Sequence, residues 1–235
     1  MHRLVIDLCK RLYKGPTLGD LRSDLIRLLD AGCGSGGLTR KLGQFANVVG
    51  LDVSPLALSL AKKRKLRLIE GSVNSLPFFD ECFDMVVSTS VIYHRLVDED
   101  KAIGEFYRVL KSKGKIILIF PAFSWVYGSH DEAVHTRKRY TLSEVISLVE
   151  SREFRVIDNR YIFSFLFPVF VVKRLVEKII PNRGKISDLE IMPSFLNRFL
   201  FWLCRVEWKL GDFLTLPFGS SLLIVAEKTV SLRGA

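Results

Sequence analysis

Cysteine is scarce in this 235-residue chain and builds no framework. Cys9, Cys33, Cys82 and Cys204 are scattered, with no Cys-x-x-Cys spacing. That argues against a zinc site and a disulfide scaffold, and it fits free thiols in a reducing compartment. The N-terminus has neither an apolar secretory core nor a cleavage-site pattern, so a cytoplasmic location is expected. The uncharged run from Tyr161 to Val172 falls short of the roughly 18 apolar residues that a spanning helix needs. Acidic residues are outnumbered, 25 Asp and Glu against 35 Lys and Arg, leaving a formal charge of +10. Such a balance is compatible with nucleic acid or an anionic membrane surface as partner and selects neither. The densest basic run, Lys62-Lys63-Arg64-Lys65 with Arg67 beyond it, has no aromatic residue interleaved. It reads as the solvated, cationic end of a helix, not as a nucleic-acid patch. Hydrophobic residues make up 49% of the chain, which predicts a large core or an exposed apolar face.

The most informative stretch is Leu28-Leu29-Asp30-Ala31-Gly32-Cys33-Gly34-Ser35-Gly36-Gly37. An apolar run from Leu25 enters a glycine-dense turn, and a helical pattern (Leu38, Leu42, Phe45) leaves it. The expected order is strand, tight loop, helix. Glycines at 32, 34 and 36 permit positive φ and close approach of a ligand, with helix N–H groups facing it. The spacing Gly32-x-Gly34-x-x-Gly37 also satisfies the dinucleotide fingerprint, with Asp52 placed as a ribose-binding acid. Asp30, two residues ahead of the first glycine, points the other way. A carboxylate there would repel a pyrophosphate and attract a cation. The run from Asp30 to Gly36 resembles the first motif of the class I S-adenosylmethionine-dependent methyltransferases, acid-x-Gly-x-Gly-x-Gly.

Downstream spacing is similar to the same family from about residue 25 to 121. The expected strands are Asn47–Asp52, Leu66–Glu70, Phe83–Ser90 and Lys115–Pro121. Ser54-Pro55 opens a helix with an N-cap and a first-turn proline, and Ile103, Phe106, Tyr107 and Leu110 mark another over 99–110. Residues 3–14 alternate apolar and basic at helical spacing (Leu4, Leu8, Leu12) and stop at Gly15-Pro16. Further strands are expected at Phe154–Tyr161 and Leu222–Lys228. The resemblance implies an α/β fold: a Rossmann-like, seven-stranded, doubly wound sheet of order 3-2-1-4-5-7-6 with strand 7 antiparallel. It further implies one domain over 1–235, with an N-terminal helical segment (1–24), a core (25–163 and 220–229) and a helical insert (164–219). The cofactor set it implies is Asp30, Gly32, Cys33, Gly34 and Gly36 from the loop, Asp52 and Val53 after the second strand, Ser72 and Val73 in the adenine turn, and Ser88 on the fourth strand. Ser72 stands where the family commonly carries an acid. Its hydroxyl would bond an exocyclic amine more weakly than a carboxylate would.

Between the fifth strand and the next helix lies Gly128-Ser129-His130-Asp131-Glu132-Ala133-Val134-His135-Thr136-Arg137-Lys138-Arg139-Tyr140, ahead of a capping box, Thr141 with Glu144. A His-Asp loop of this kind resembles that of a bacterial and archaeal subset of the family. It reads equally as a substrate lid and as a hydrogen-bonded structural loop. His94, His130 and His135 are the candidate bases, to be used only if the acceptor must lose a proton. Tyr93, Asp131 and Tyr140 are the candidate substrate contacts, and the His-Asp spacing matches no standard metal site. The insert carries two amphipathic patterns, Val169-Val172-Val176-Ile179 and Phe195-Phe199-Trp202-Val206-Leu210. They read either as a cap with an apolar acceptor pocket that could meet a membrane face, or as extra core or a dimer contact.

The family implies S-adenosylmethionine as cofactor, S-adenosylhomocysteine as product, and methyl transfer to an acceptor; the hydrophobic, aromatic insert with its basic rim suits a small, apolar or lipid-like one. Nucleic-acid methylation is disfavoured because the fourth strand ends Ser88-Thr89-Ser90, with no Asn/Asp-Pro-Pro-Tyr-like tetrad. A nicotinamide oxidoreductase and a non-catalytic, membrane-peripheral cofactor-binding protein stay open. The sequence leaves the oligomeric state unspecified.

Overall fold

The structure, a computed structural model, describes residues 1–13, 26–179, 194–210 and 216–229, with the backbone alone for 177–179 and 194–197. The predicted stop at Gly15-Pro16 and the side chains of Leu25, Ile179, Phe195 and Leu196 lie outside the described residues.

Seven strands form one sheet. They are β1 (Arg27–Ala31), β2 (Asn47–Asp52), β3 (Leu68–Glu70), β4 (Phe83–Thr89), β5 (Leu110–Pro121), β6 (Phe154–Ile162) and β7 (Ser221–Lys228). Their order is β3-β2-β1-β4-β5-β7-β6, the order expected from the sequence. β1 through β5 run parallel to one another, and β7 lies antiparallel between β5 and β6. The central strands are apolar on both sides because both sides are covered. Leu28, Met85, Val87, Ile117, Ile119, Leu223 and Val225 face one core. Leu29, Val86, Ile116, Leu118, Leu222, Ile224 and Ala226 alternate onto the other.

The first core is closed by α1 (His2–Leu12) and α2 (Gly37–Leu42). In α1 the inward residues are Val5, Leu8 and Cys9, a stripe one position round from the predicted Leu4-Leu8-Leu12. The second core is closed by α4 (Glu99–Val109) and α6 (Leu142–Glu150), through Ala102, Ile103 and Phe106 and through Val145 and Val149. Local signals hold where they are capped. Ser54 accepts the Ala57 N–H at the start of α3 (Pro55–Lys62), and Thr141 and Glu144 cap α6 reciprocally.

The fifth strand begins ahead of the expected Lys115, because Lys111–Gly114 form a bulge inside β5. The ladder passes from Phe83–Leu110 to Met85–Lys115, and Lys111 Nζ reaches Asp84 at 2.6 Å. The insert contributes α7 (Phe167–Ile179) and α8 (Ser194–Leu210), but their apolar stripes do not pack inward. Val169, Val172 and Val176 on α7, with Phe199, Trp202 and Leu210 on α8, are exposed. Periodicity identified the stripes, and both faces of the sheet already had their covers. Among the described residues no helix is long and apolar enough to cross a membrane.

Candidate functional site

The carboxyl ends of β1, β2 and β4 converge on the glycine loop. Gly32, Gly34 and Gly36 all have positive φ, at 82°, 53° and 75°. The reasons for glycine differ. A Cβ on Gly32 would lie 2.0 Å from Val91 Cγ2, the side chain that leans on the loop from beyond β4. A Cβ on Gly34 would meet nothing within 4 Å, so there the bare backbone borders open space. Cys33, between them, turns its thiol to the sheet, packing where a Cβ on Gly50 would be 2.9 Å away. Burial pushes that thiol up to about 12, so it is protonated and unreactive. Cys33 can offer a ligand only its backbone.

Asp30 is 2% exposed and is the penultimate residue of β1, immediately below this loop. Its Oδ2 accepts the Thr39 hydroxyl at 2.6 Å from the first turn of α2. It forms no ion pair among the described residues. Burial raises its pKa to about 6; the Thr39 hydroxyl opposes the rise and the nearby Asp52 carboxylate adds to it. Thr39 was not singled out from the sequence. Its position one helical turn into α2 was the only signal. Asp52 ties the loop to β2, with Oδ2 accepting the Gly34 N–H at 2.7 Å and Oδ1 the Ser54 N–H at 2.9 Å. Each oxygen keeps a lone pair for a further donor. Val53 follows, exposed at the strand's end. The predicted adenine turn begins alongside, because the Gly71 N–H donates to the Asp52 carbonyl. Ser72 Oγ accepts the Asn74 N–H at 3.1 Å.

The side chains of four predicted contact residues are turned into the framework. Val73 sends its side chain into the second core. Ser88 is fully buried and donates to the Ala31 carbonyl at 3.0 Å, just past the last β1–β4 ladder pair. A polar side chain there satisfies an acceptor that the ladder leaves over. Tyr140 is a core residue, its ring edge-on to Phe120 at 5.0 Å. Asp131 is buried at the base of the polar loop. It accepts the Gly128 N–H at 3.0 Å and pairs with the buried Arg139 at 2.9 Å, which also donates to the Ala122 carbonyl. None of these four side chains lines an open surface.

The three histidines separate. The loop after β4 and the polar loop are stitched together by Arg137 N–H to the Tyr93 carbonyl (2.8 Å) and Arg95 N–H to the His135 carbonyl (3.0 Å). This sets the His94 and His135 rings 5.7 Å apart, edge to face. Burial, and secondarily His135, lowers the pKa of His94. Its Nδ1 accepts the Leu96 N–H at 3.4 Å. His130 lies elsewhere, on α5 (Ser129–Ala133). Tyr93 packs against the second core, and burial raises its hydroxyl's pKa. Among the described residues no three His, Cys, Asp or Glu side chains converge to hold a metal ion.

Beyond β5 the chain assembles an aromatic cluster that sequence reading missed. Phe123, at φ 60°, stacks on Tyr161 (5.1 Å) and contacts Trp125 (6.2 Å) and Phe167 (5.4 Å); Phe167 continues to Phe170 and Phe218. Arg139 and Arg174 lie over the Phe170 ring at 5.1 and 4.8 Å. The one available signal was Phe123-Ser124-Trp125 directly after a strand whose carboxyl end borders the crevice.

Comparison with known proteins agrees with this geometry. Residues 29–118 match a family described as "Methyltransferase domain". A demethylmenaquinone methyltransferase of Thermus thermophilus is 34% identical over 116 residues, covering 43% of this chain and 52% of that protein. The chain thus spans about half the length of that relative. The phosphoethanolamine N-methyltransferase 2 of Haemonchus contortus, solved with S-adenosyl-L-methionine, superposes with a TM-score of 0.61 at 19% identity, over 97% of this chain and 52% of that one. The cyclase SpnF also superposes at 0.61 with 19% identity, over 98% and 81%. Residues 29–118 thus match a methyltransferase domain, and the chain that contains them has the fold seen in class I S-adenosylmethionine-dependent methyltransferases.

Proposed function

We propose that this chain transfers a methyl group from S-adenosylmethionine to a small acceptor bearing an aromatic or quinone-like ring. The observation that carries the reading is Asp30, a buried carboxylate with no cationic partner among the described residues, set under a glycine loop that is open at Gly34. A buried charge of that kind calls for a cation, and the ligand's ammonium and sulfonium are cations. A pyrophosphate would add a third negative group to Asp30 and Asp52. The residues present fit the cofactor. Asp52 has lone pairs for ribose hydroxyls, Ser72 has one for an amine, and Gly34 admits close approach.

S-adenosylmethionine, when bound, supplies a methyl group on a positive sulfur whose thioether leaves neutral, so no side chain has to stabilise departing charge. The chain's own task is alignment and exclusion of water. The aromatic cluster around Phe123 and Phe167 supports a flat, apolar acceptor, as does the likeness to a demethylmenaquinone methyltransferase. Where the acceptor must lose a proton, His135 is better disposed than His94. With its Nδ1 accepting a backbone N–H, a neutral His94 carries its proton on Nε2 and donates there.

Isothermal titration with S-adenosylmethionine and with NAD tests the first step. S-adenosylmethionine is expected to bind, and Asp30→Ala is expected to abolish binding. Preference for NAD, or unchanged affinity in the variant, overturns the assignment. Transfer of radiolabelled methyl to demethylated quinones, set against polar metabolites, tests the acceptor class.

A further inference from the structure

The exposed side of α8 is both aromatic and cationic. Phe199, Phe201 and Trp202 are 54%, 54% and 56% exposed, and Arg198, Arg205 and Lys209 are exposed among them. The only acid among the described side chains of this helix, Glu207, turns inward. Its two carboxylate oxygens accept the Ser164 and Phe165 N–H groups at 2.8 and 3.0 Å. Every charge left on the outer face is therefore positive. Between α8 and α1 runs a groove of about 350 Å³, floored by Leu4, Phe163, Cys204 and Trp208 and rimmed by Arg3, Arg205 and Lys209, with Asp7 as its single acid. Arg11 and Arg160 lie over the Trp208 ring at 5.4 and 5.7 Å.

We infer that this face docks on an anionic lipid bilayer, with the rings of α8 entering the headgroup boundary and its cations pairing with lipid phosphates. Rings at the depth of the interface and cations beside them are what such a surface selects. The groove offers an apolar floor under a cationic rim, which suits an acyl chain beneath its phosphate. A second copy of this chain is a poor occupant, because apposed α8 faces would bring Arg198, Arg205 and Lys209 together. The net charge of +10 favours approach to a negative surface. The contact is peripheral, no described helix being long and apolar enough to span. It goes beyond the methyl-transfer reading and does not rest on it.

The full chain is sedimented with vesicles of phosphatidylcholine alone and with vesicles holding about a third phosphatidylglycerol. Binding is expected only to the second kind and is expected to weaken as salt rises. Each cation near such a surface is worth roughly five-fold in partition, so Arg205→Glu with Lys209→Glu should lower it on the order of 25-fold or more. Phe201→Ser with Trp202→Ser should lower it on the order of ten-fold. Unchanged thermal melting and unchanged S-adenosylmethionine affinity in both double variants show that the fold persists. Equal binding to both vesicles overturns the inference. So does absence of vesicle binding, whether the chain instead binds poly-uridylate or forms a dimer that the Ser variants dissolve.

Discussion

At the scale of single residues, Asp30 makes cofactor affinity depend on pH. Its folded pKa, raised to about 6 from 3.8, means that the native state holds a proton which the unfolded chain has released between about pH 4 and 6. The unfolded state binds fewer protons there, so stability falls as pH rises across that window. A cationic ligand favours the ionised carboxylate and pulls the equilibrium the opposite way. S-adenosylmethionine affinity should therefore climb as pH rises through about 6, and calorimetric titration of Asp30→Asn should find weaker binding with a flat profile. The glycines divide two costs that are often conflated. Gly32→Ala forces a Cβ into Val91 at positive φ and should cost about 2–4 kcal/mol of stability by thermal melting. Gly34→Ala carries backbone strain of about 1 kcal/mol and little clash, yet its methyl would occupy the ligand's approach. It should melt close to the wild type and lose at least about ten-fold in cofactor affinity.

Among elements, the polar loop is held by the ion pair between Asp131 and Arg139, both buried at its base. Removing one partner strands the other charge, at a cost of about 3–5 kcal/mol. Asp131→Asn and Arg139→Met should each lower the melting temperature strongly, while the double variant should lose less than the two combined. The sequence showed these residues as a His-Asp-rich loop without showing which would be buried. Spacing marks polarity, and burial depends on what the loop meets. The sheet was legible for the converse reason. Leu28-Leu29 in β1, Met85–Val87 in β4 and Ile116–Phe120 in β5 are apolar runs buried on both faces, and the Gly32–Gly36 turn follows a strand end. The aromatic cluster was not legible, since Phe123, Tyr161, Phe167 and Phe218 lie on separate segments and share no period. The helices of the insert were legible as helices. Which side of each faces inward was not, because an apolar stripe states an appetite for a cover and does not name one. Ser88 shows the same limit in a single side chain: a serine at a strand's carboxyl end reads as a ligand contact until its neighbouring carbonyl is seen.

Over the molecule as a whole, the sheet carries the glycine loop and the aromatic cluster on one rim. The glycine loop lies over β1, and the aromatic cluster lies beyond β5, with the loop after β4 between them. That middle loop is no passive divider. Val91 presses on Gly32 at one end of it, and Tyr93 and Arg95 are clasped to Arg137 and His135 at the other. A shift of the His135 segment pulls on the same five-residue span, Val91 to Arg95, that seats the glycine turn. The glycine turn and the polar loop thus share a single brace, and trimming it in Val91→Ala is expected to lower S-adenosylmethionine affinity as read by calorimetric titration.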